Sequence, residues 1–155
     1  MASKSTDSFA PPPWVKPPKL ENCGLRVFKG GDKIDTITDI GRKSFVLFGR
    51  NAQMSDIKLD HPSISRRHAL LGHGSSGNLY VMDLGSSHGT FVNAERLKKR
   101  KREPLRDGYT VKFGASTREY IVKLDLDADD GDDLKTKSNA KKRKLDESQS
   151  TLNGL

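Results

Sequence analysis

Three short blocks of sequence organise this chain: FGRN at positions 48–51, SISRRHA at positions 63–69 and DLGSSHGTFVN at positions 83–93. In each block, small polar or basic residues stand directly beside an apolar run. This arrangement is typical of loops at one end of a rigid strand scaffold, where recognition residues are concentrated. Together the blocks supply an arginine, several hydroxyl groups and glycine-flanked backbone amides. These are donors that suit a phosphate group.

Strand-like runs surround these blocks. A Gly-Gly-Asp turn separates residues 25–29 from residues 33–37, which predicts a β-hairpin. Residues 44–48 form the most apolar run and predict a strand that is buried on both faces. We count roughly nine to eleven short strands at regular spacing and no amphipathic helix, so the sequence predicts an all-β sandwich. The predicted strands cover residues 25–29, 33–37, 44–48, 57–59, 68–73, 79–83, 91–93, 110–114 and 119–124.

Composition divides the 155 residues into one domain at 25–124 and two tails. Residues 1–24 are rich in proline, which favours an extended conformation, and they predict a disordered arm whose Trp14 packs on the sandwich surface. A ligand for a proline-recognising domain is the alternative interpretation of this arm. Residues 125–155 predict a second disordered tail because they are too polar to form a core. Its basic cluster at 141–144 predicts a nuclear localisation signal.

Charge is concentrated in the predicted domain. Residues 25–124 carry 19 basic and 10 acidic side chains, a net charge of +9, so we expect an anionic partner such as a phosphoprotein, a nucleic acid or an acidic surface. No apolar run approaches the ~20 residues of a membrane span, and the N-terminus lacks the apolar core of a signal peptide. The single cysteine, Cys23, cannot form an internal disulfide, which favours a reducing intracellular compartment.

Three motifs resemble, in order and spacing, the signature of the forkhead-associated (FHA) family: Gly49-Arg50, SRRH at 65–68 and SSHGTFVN at 86–93. The family signature is a Gly-Arg, a Ser-x-x-His and an Asn-Gly-Thr-x-x-Asn. The resemblance covers residues 25–123. One such motif alone would carry little information, whereas three in order on a β-rich background are specific.

Finer features resemble the branch of this family that includes nuclear inhibitors of protein phosphatase 1. They are HGTF at 88–91, FGASTR at 113–118 and the leader with proline and Trp14. Kanadaptin-type FHA domains share some of these features. The branch implies docking on phosphorylated splicing factors and regulation of protein phosphatase 1. Neither tail contains the short basic-Val/Ile-x-Phe/Trp motif that docks this phosphatase, so we do not predict phosphatase inhibition for this chain.

The resemblance implies an FHA-type β-sandwich whose apical loops bind a phosphothreonine peptide. By position, Arg50 would grip the phosphate, Ser65 would donate its hydroxyl to it and Arg66 would lie beside it. Ser87 and His88 would contact the phosphothreonine and the adjacent peptide backbone. The residues implied to shape the loops are Gly49, His68, Gly89, Thr90 and Asn93.

Two positions need further comment. Arg66 and Arg67 are adjacent, so we expect only one of them, Arg66, to face the ligand. His88 stands where most of the family has asparagine, and its imidazole holds its donor and acceptor farther from the backbone than an amide does.

From these features we expect a monomeric, cofactor-free adaptor that recruits a phosphothreonine-containing nuclear partner. The alternative is an RNA- or DNA-binding protein that uses the predicted basic loop at residues 98–102 and the cluster at 141–144. The basic run has no interleaved aromatic residues to stack on bases, and the sequence predicts no recognition helix. A phosphoprotein reader loses its partner on dephosphorylation, whereas a nucleic-acid binder does not.

Catalysis is the least favoured class. Ser65 and His68 could form a nucleophile and base, but no carboxylate at this spacing would orient the imidazole. The sequence contains no Gly-x-Ser-x-Gly elbow, and GSSHG at 85–89 lacks the Lys-Ser/Thr ending of a P-loop. The four histidines and one cysteine show no metal-ligand spacing.

Overall fold

A computed structural model of the protein describes residues 9–127, which form two β-sheets packed face to face. This architecture confirms the predicted all-β sandwich. Its eleven strands are β1 (Gly24–Lys29), β2 (Asp32–Ile37), β3 (Phe45–Gly49), β4 (Ile57–Lys58), β5 (Ala69–His73), β6 (Leu79–Asp83), β7 (Thr90–Val92), β8 (Glu95–Arg96), β9 (Arg102–Leu105), β10 (Thr110–Phe113) and β11 (Glu119–Lys123).

One sheet has the strand order β2-β1-β11-β10-β7-β8, and the other has the order β4-β3-β5-β6-β9. Most neighbouring strands are antiparallel, and β3 and β4 run parallel. The predicted first hairpin is confirmed, since β1 pairs with β2 across the Gly30-Gly31 turn. A 3₁₀ turn spans Asp39–Gly41. Within residues 9–127, no helix is long and apolar enough to cross a membrane.

The core lies between the sheets and is centred on aromatic rings. Phe48 of β3 stacks on Phe113 of β10 with ring centroids 5.2 Å apart, and Tyr120 of β11 meets Phe113 edge-on at 5.1 Å. Leu47 points to the other face of the sheet because side chains alternate along a strand. Leu47 and Leu70 are fully buried in a second cluster on that outer face. The prediction that residues 44–48 are buried on both faces is therefore confirmed.

The N-terminal arm covers that outer face. The prediction of disorder over residues 1–24 is wrong for residues 9–23, because their apolar side chains shield Leu47 and its neighbours from water. The expected packing of Trp14 on the sandwich is present: its ring meets that of Tyr80 edge-on at 5.4 Å. Residues 1–8 lie outside the described part of the chain.

Two short strands, β8 and β9, were not predicted. β9 contains Pro104, which cannot donate a ladder hydrogen bond, but β9 is an edge strand that pairs with β6 alone in its sheet. The basic run was predicted as a loop over residues 98–102, and this is confirmed for residues 98–101. Arg102 instead begins β9, and its guanidinium stacks over the ring of Tyr80 at 4.6 Å.

The folded unit continues slightly past the predicted C-terminal boundary at residue 124. The amide of Leu126 donates to the carbonyl of Asn22 at 2.8 Å, and the carbonyl of Leu126 accepts from Arg26 Nη2 at 3.1 Å. These bonds attach residues 125–127 to the start of β1. The predicted disordered tail from residue 128 onward and its basic cluster at 141–144 lie outside the described residues.

Candidate functional site

The fold brings the three sequence blocks together at one end of the sandwich. The backbone amide of Arg50, just after β3, donates to the carbonyl of Ser65 at 2.9 Å. The amide of Ser87, in the loop between β6 and β7, donates to Ser65 Oγ at 3.2 Å. The β10–β11 loop joins the same end through Gly114, whose amide donates to the carbonyl of Gly89 at 2.8 Å. Residues far apart in the chain therefore form one continuous rim.

Arg50 is exposed on this rim but fixed at its root. Its Nε donates to the carbonyl of Ile64 at 2.8 Å, which orients the plane of the guanidinium. Among the residues that the structure describes, this is the one bond that the guanidinium makes. Its two terminal amino groups are left as a planar fork of the kind that binds phosphate oxygens in pairs.

Ser65 is placed to donate its hydroxyl proton outward. Its Oγ already accepts from the amide of Ser87, so the hydroxyl hydrogen is available to a second acceptor. The side chain of Ser87 is exposed at the same point, and His88 beside it is also exposed. The predicted ligand residues Ser65, Ser87 and His88 therefore stand on the same rim as Arg50.

His68 lies beneath the rim and joins two of its loops. Its Nδ1 accepts from the amide of Ser65 at 3.1 Å, so the ring proton is on Nε2, which donates to the carbonyl of Gly89 at 2.8 Å. Burial lowers the pKa of His68 below its usual value of 6.5 because desolvation disfavours the charged ring. The neutral ring thus holds the two loops at a fixed separation, which is the geometry that a loop-shaping role requires.

A buried carboxylate that sequence reasoning missed folds the third block. Asp83 accepts from the Ser86 hydroxyl at 2.5 Å and the Thr90 hydroxyl at 2.7 Å, and from the amides of Gly85 and Ser86 at 3.0 Å each. Ser86 Oγ in turn accepts from the amide of Gly89 at 2.9 Å. The available signal was an aspartate that ends an apolar run and precedes small hydroxyl residues, a pattern that favours local side chain–backbone bonds.

Two of the predicted loop-shaping glycines leave room for their neighbours. A Cβ at Gly49 would overlap the carbonyl oxygen of Arg66, at 2.1 Å. Gly89 has a φ of 89°, which L side chains rarely adopt, and a Cβ there would lie 2.6 Å from Arg96 Nε. Asn93 lies in the β7–β8 turn and joins it to β10, because its Oδ1 accepts from the amide of Thr110 at 3.0 Å.

The two adjacent arginines point to different surroundings. Arg67 Nε donates to the carbonyl of Met54 at 3.2 Å, and its guanidinium lies 5.0 Å from the centre of the Phe9 ring on the arm. The side chain of Arg66 is exposed and has no hydrogen-bond partner within residues 9–127. Arg66 is thus the one of the pair that remains available to a ligand.

Known proteins share sequence similarity with the part of the chain that forms this rim. The FHA domain family model matches residues 46–114. The chain is 41% identical, over 78% of its length, to an Arabidopsis thaliana homologue of protein phosphatase 1 regulatory inhibitor subunit PPP1R8. It is 39% identical over 79% to the human nuclear inhibitor of protein phosphatase 1 and 38% identical over 72% to human kanadaptin. It spans 32%, 34% and 17% of these three relatives, respectively.

Solved structures of FHA domains share the fold of this chain. The solution structure of the FHA domain of TbPar42 matches with a TM-score of 0.63 and 36% identity, over 81% of this chain and 69% of that one. The Mek1 FHA domain in complex with a Hop1 phosphothreonine peptide matches with a TM-score of 0.53 and 25% identity, over 66% of this chain and 95% of that one. The chain belongs to the FHA family, a class of protein-interaction modules that bind phosphothreonine peptides of partner proteins.

Proposed function

We propose that this chain binds a phosphothreonine segment of a partner protein at the rim formed by Arg50, Ser65, Arg66, Ser87 and His88, without catalysing a reaction. The observation that carries the proposal is the convergence of three loops that present donors. The side chains of Arg50 and Ser65 each make one hydrogen bond that orients them, and both keep further donors available. An FHA domain of the same fold holds a phosphothreonine peptide in the Mek1 complex.

The chemistry of the rim suits a doubly charged phosphate. The Arg50 fork can bind two phosphate oxygens, and the hydroxyl of Ser65 can donate to a third. Each charge-assisted bond of this kind contributes about 1.5–3 kcal/mol. Ser87 and His88 lie on the next loop, where they can contact the peptide backbone that follows the phosphothreonine. Arg66 would add positive charge beside the phosphate.

The names of the relatives and the basic cluster in the tail support a nuclear role. We propose that the partner is a nuclear phosphoprotein, because related chains carry the name nuclear inhibitor of protein phosphatase 1 and the tail contains the predicted import cluster at 141–144. Phosphorylated splicing factors are the partner class that the resembled branch implies. Kinase activity toward such a partner would then control recruitment.

Calorimetric titration tests the site. The intact chain is titrated with a degenerate phosphothreonine peptide pool and with its unphosphorylated counterpart, and the titrations are repeated with Arg50→Ala. The exposed Arg42→Ala is a matched control for loss of one positive charge away from the rim. We expect binding of the phosphorylated pool alone, a loss of about 2–3 kcal/mol for Arg50→Ala, roughly 30- to 150-fold in affinity, and little change for Arg42→Ala.

Two results would contradict a phosphate site at the rim. Equal affinity for the two pools, or an Arg50→Ala variant that binds as well as Arg42→Ala, means that the rim is not a phosphate site. Circular dichroism and thermal unfolding of both variants confirm that each one is folded, so that a lost titration signal reports the site.

A further inference from the structure

Two more arginine side chains, Arg96 and Arg100, lie beside the loop at residues 85–89. Arg96 Nη2 lies 3.5 Å from the carbonyl oxygen of Ser87, and its guanidinium occupies the space above Gly89 that a Cβ would fill. Arg100 lies beside Gly85, where a Cβ would be 3.6 Å from Arg100 Nη2. The loop at residues 85–89 therefore contacts Ser65 through the Ser87 amide and Arg96 through the Ser87 carbonyl, and Arg100 lies beside Gly85.

The backbone of residues 98–101 (the basic loop) is held beside the loop at residues 85–89 (the rim loop). The amide of Arg100 donates to the carbonyl of Asp83 at 2.7 Å, and the backbone of Lys99 forms an isolated parallel β-bridge with the backbone of Asp83. Arg100 has a φ of 61°, in the left-handed region that non-glycine residues rarely adopt. Because the carboxylate of Asp83 also holds Ser86, one buried residue sets both the rim loop and the basic loop.

The basic loop carries positive charge that is not neutralised by an ion pair within residues 9–127. Arg96 and residues 98–101 are all exposed, and no ion pair within residues 9–127 neutralises them. Arg102 differs, since it is engaged by Tyr80 and Trp14. Exposed like charges repel one another, so an anion bound there would relieve repulsion as well as form direct bonds.

The cavity beside this loop is a poorer anion site. It has a volume of about 300 Å³ and is lined in part by Arg96, Lys98 and Lys101 together with Glu95 and Glu103. The two carboxylates lower the positive charge of the cavity without forming an ion pair with these side chains. Arg96 differs from the two lysines because its guanidinium also reaches Ser87 and Gly89, and Arg100 lies beside Gly85. These two guanidiniums are therefore the groups that stand at the rim loop.

We propose that Arg96 and Arg100 form a second anion-binding site that selects phosphothreonine peptides carrying a second anionic group close to the phosphothreonine. This proposal rests on the proposed function of the rim. Two contacts and the backbone of Ser87 join Ser65 Oγ to Arg96 Nη2, which places these atoms within about 10 Å of each other. An extended peptide rises about 3.3 Å per residue, so the second anion lies about two to four residues from the phosphothreonine.

Either a phosphate or a cluster of carboxylates could supply the second anion, and guanidinium pairs with both. The test therefore uses four peptides of one sequence. They carry phosphothreonine alone, phosphothreonine with a phosphoserine, phosphothreonine with two glutamates, and the phosphoserine without phosphothreonine. The second group is placed two, three or four residues from the phosphothreonine, on its N-terminal or C-terminal side. Affinities are measured for the intact chain and for Arg96→Gln/Arg100→Gln.

We expect the intact chain to prefer one or both doubly anionic peptides by about 3- to 10-fold over phosphothreonine alone, a preference that declines with added salt. Arg96→Gln/Arg100→Gln should lose this preference, whereas Arg96→Lys/Arg100→Lys should keep most of it. Arg106→Gln removes one exposed arginine elsewhere and should keep all of it. The phosphoserine and glutamate peptides distinguish the two sources of the anion.

Each remaining outcome overturns the proposal. Equal affinity of the intact chain for singly and doubly anionic peptides at every spacing means that no second site reads the peptide. A preference that survives in Arg96→Gln/Arg100→Gln places the selectivity elsewhere. Single-stranded RNA is titrated in parallel. If the intact chain binds RNA but shows no preference for the doubly anionic peptides, and Arg96→Gln/Arg100→Gln loses the RNA binding, the basic loop binds nucleic acid. Failure of the rim itself is a separate result, seen as no binding of the phosphothreonine peptide.

Discussion

The recognition end has a buried floor and an exposed rim, and the two differ in what their polar groups do. His68 and Asp83 in the floor are buried. The polar atoms of His68 join two loops, and the carboxylate of Asp83 folds the loop at residues 85–89. Arg50 and Arg66 on the rim are exposed and keep donors available. A buried polar group costs free energy unless it is bonded, whereas an exposed one is solvated. The floor should therefore control stability, and the rim should control binding.

Removal of the buried carboxylate should have the largest effect. Asp83→Ala leaves two hydroxyls and two amides without their shared acceptor, so we expect the free energy of unfolding to fall by about 3–5 kcal/mol. Denaturant titration measures the change. Asp60→Ala, which removes an exposed carboxylate, should change stability by no more than about 0.5 kcal/mol. Similar losses of unfolding free energy for the two variants would mean that the bonds of the buried Asp83 do not stabilise the fold more than an exposed carboxylate does.

Acid should weaken the floor through His68. Burial lowers the pKa of His68, so below pH 6.5 the unfolded chain takes up this proton before the folded one does, and stability falls as pH drops. The slope from this group is at most about 1.4 kcal/mol per pH unit. Denaturant titrations at pH 7.5, 6.5 and 5.5 compare the intact chain with His68→Gln. All other groups titrate in both proteins, so parallel pH profiles would contradict the expected role.

The adjacent arginines give the smallest and most specific test. Arg66→Ala should lower phosphopeptide affinity by about 3- to 10-fold and leave stability unchanged, because the side chain is exposed without a partner in the described residues. Arg67→Ala should leave affinity unchanged and lower the free energy of unfolding by about 1 kcal/mol, since it loses the contact with Phe9. Calorimetry and denaturant titration of both variants measure the two effects. A reversed pattern would exchange their roles.

Prediction from sequence was most complete where structure is local. Alternation and turn residues identified nine of the eleven strands, because the period of two is set by the backbone of each strand. Short strands such as β8 escaped prediction, since a two-residue strand has no period to detect. The arm at residues 9–23 was predicted as disordered because of its prolines. Its ordered packing depends on an apolar face that is formed by strands elsewhere in the chain.

The β-sandwich, the three loop blocks and the family can be inferred from the sequence alone, since they depend on local pattern and on motif order. Which side chains share the rim depends on the tertiary structure. Arg67 turns to Phe9, Arg96 meets Ser87, and Asp83 binds two loops at once. Such contacts join residues that are distant in the chain, and packing of the two sheets fixes their geometry. No local period encodes them.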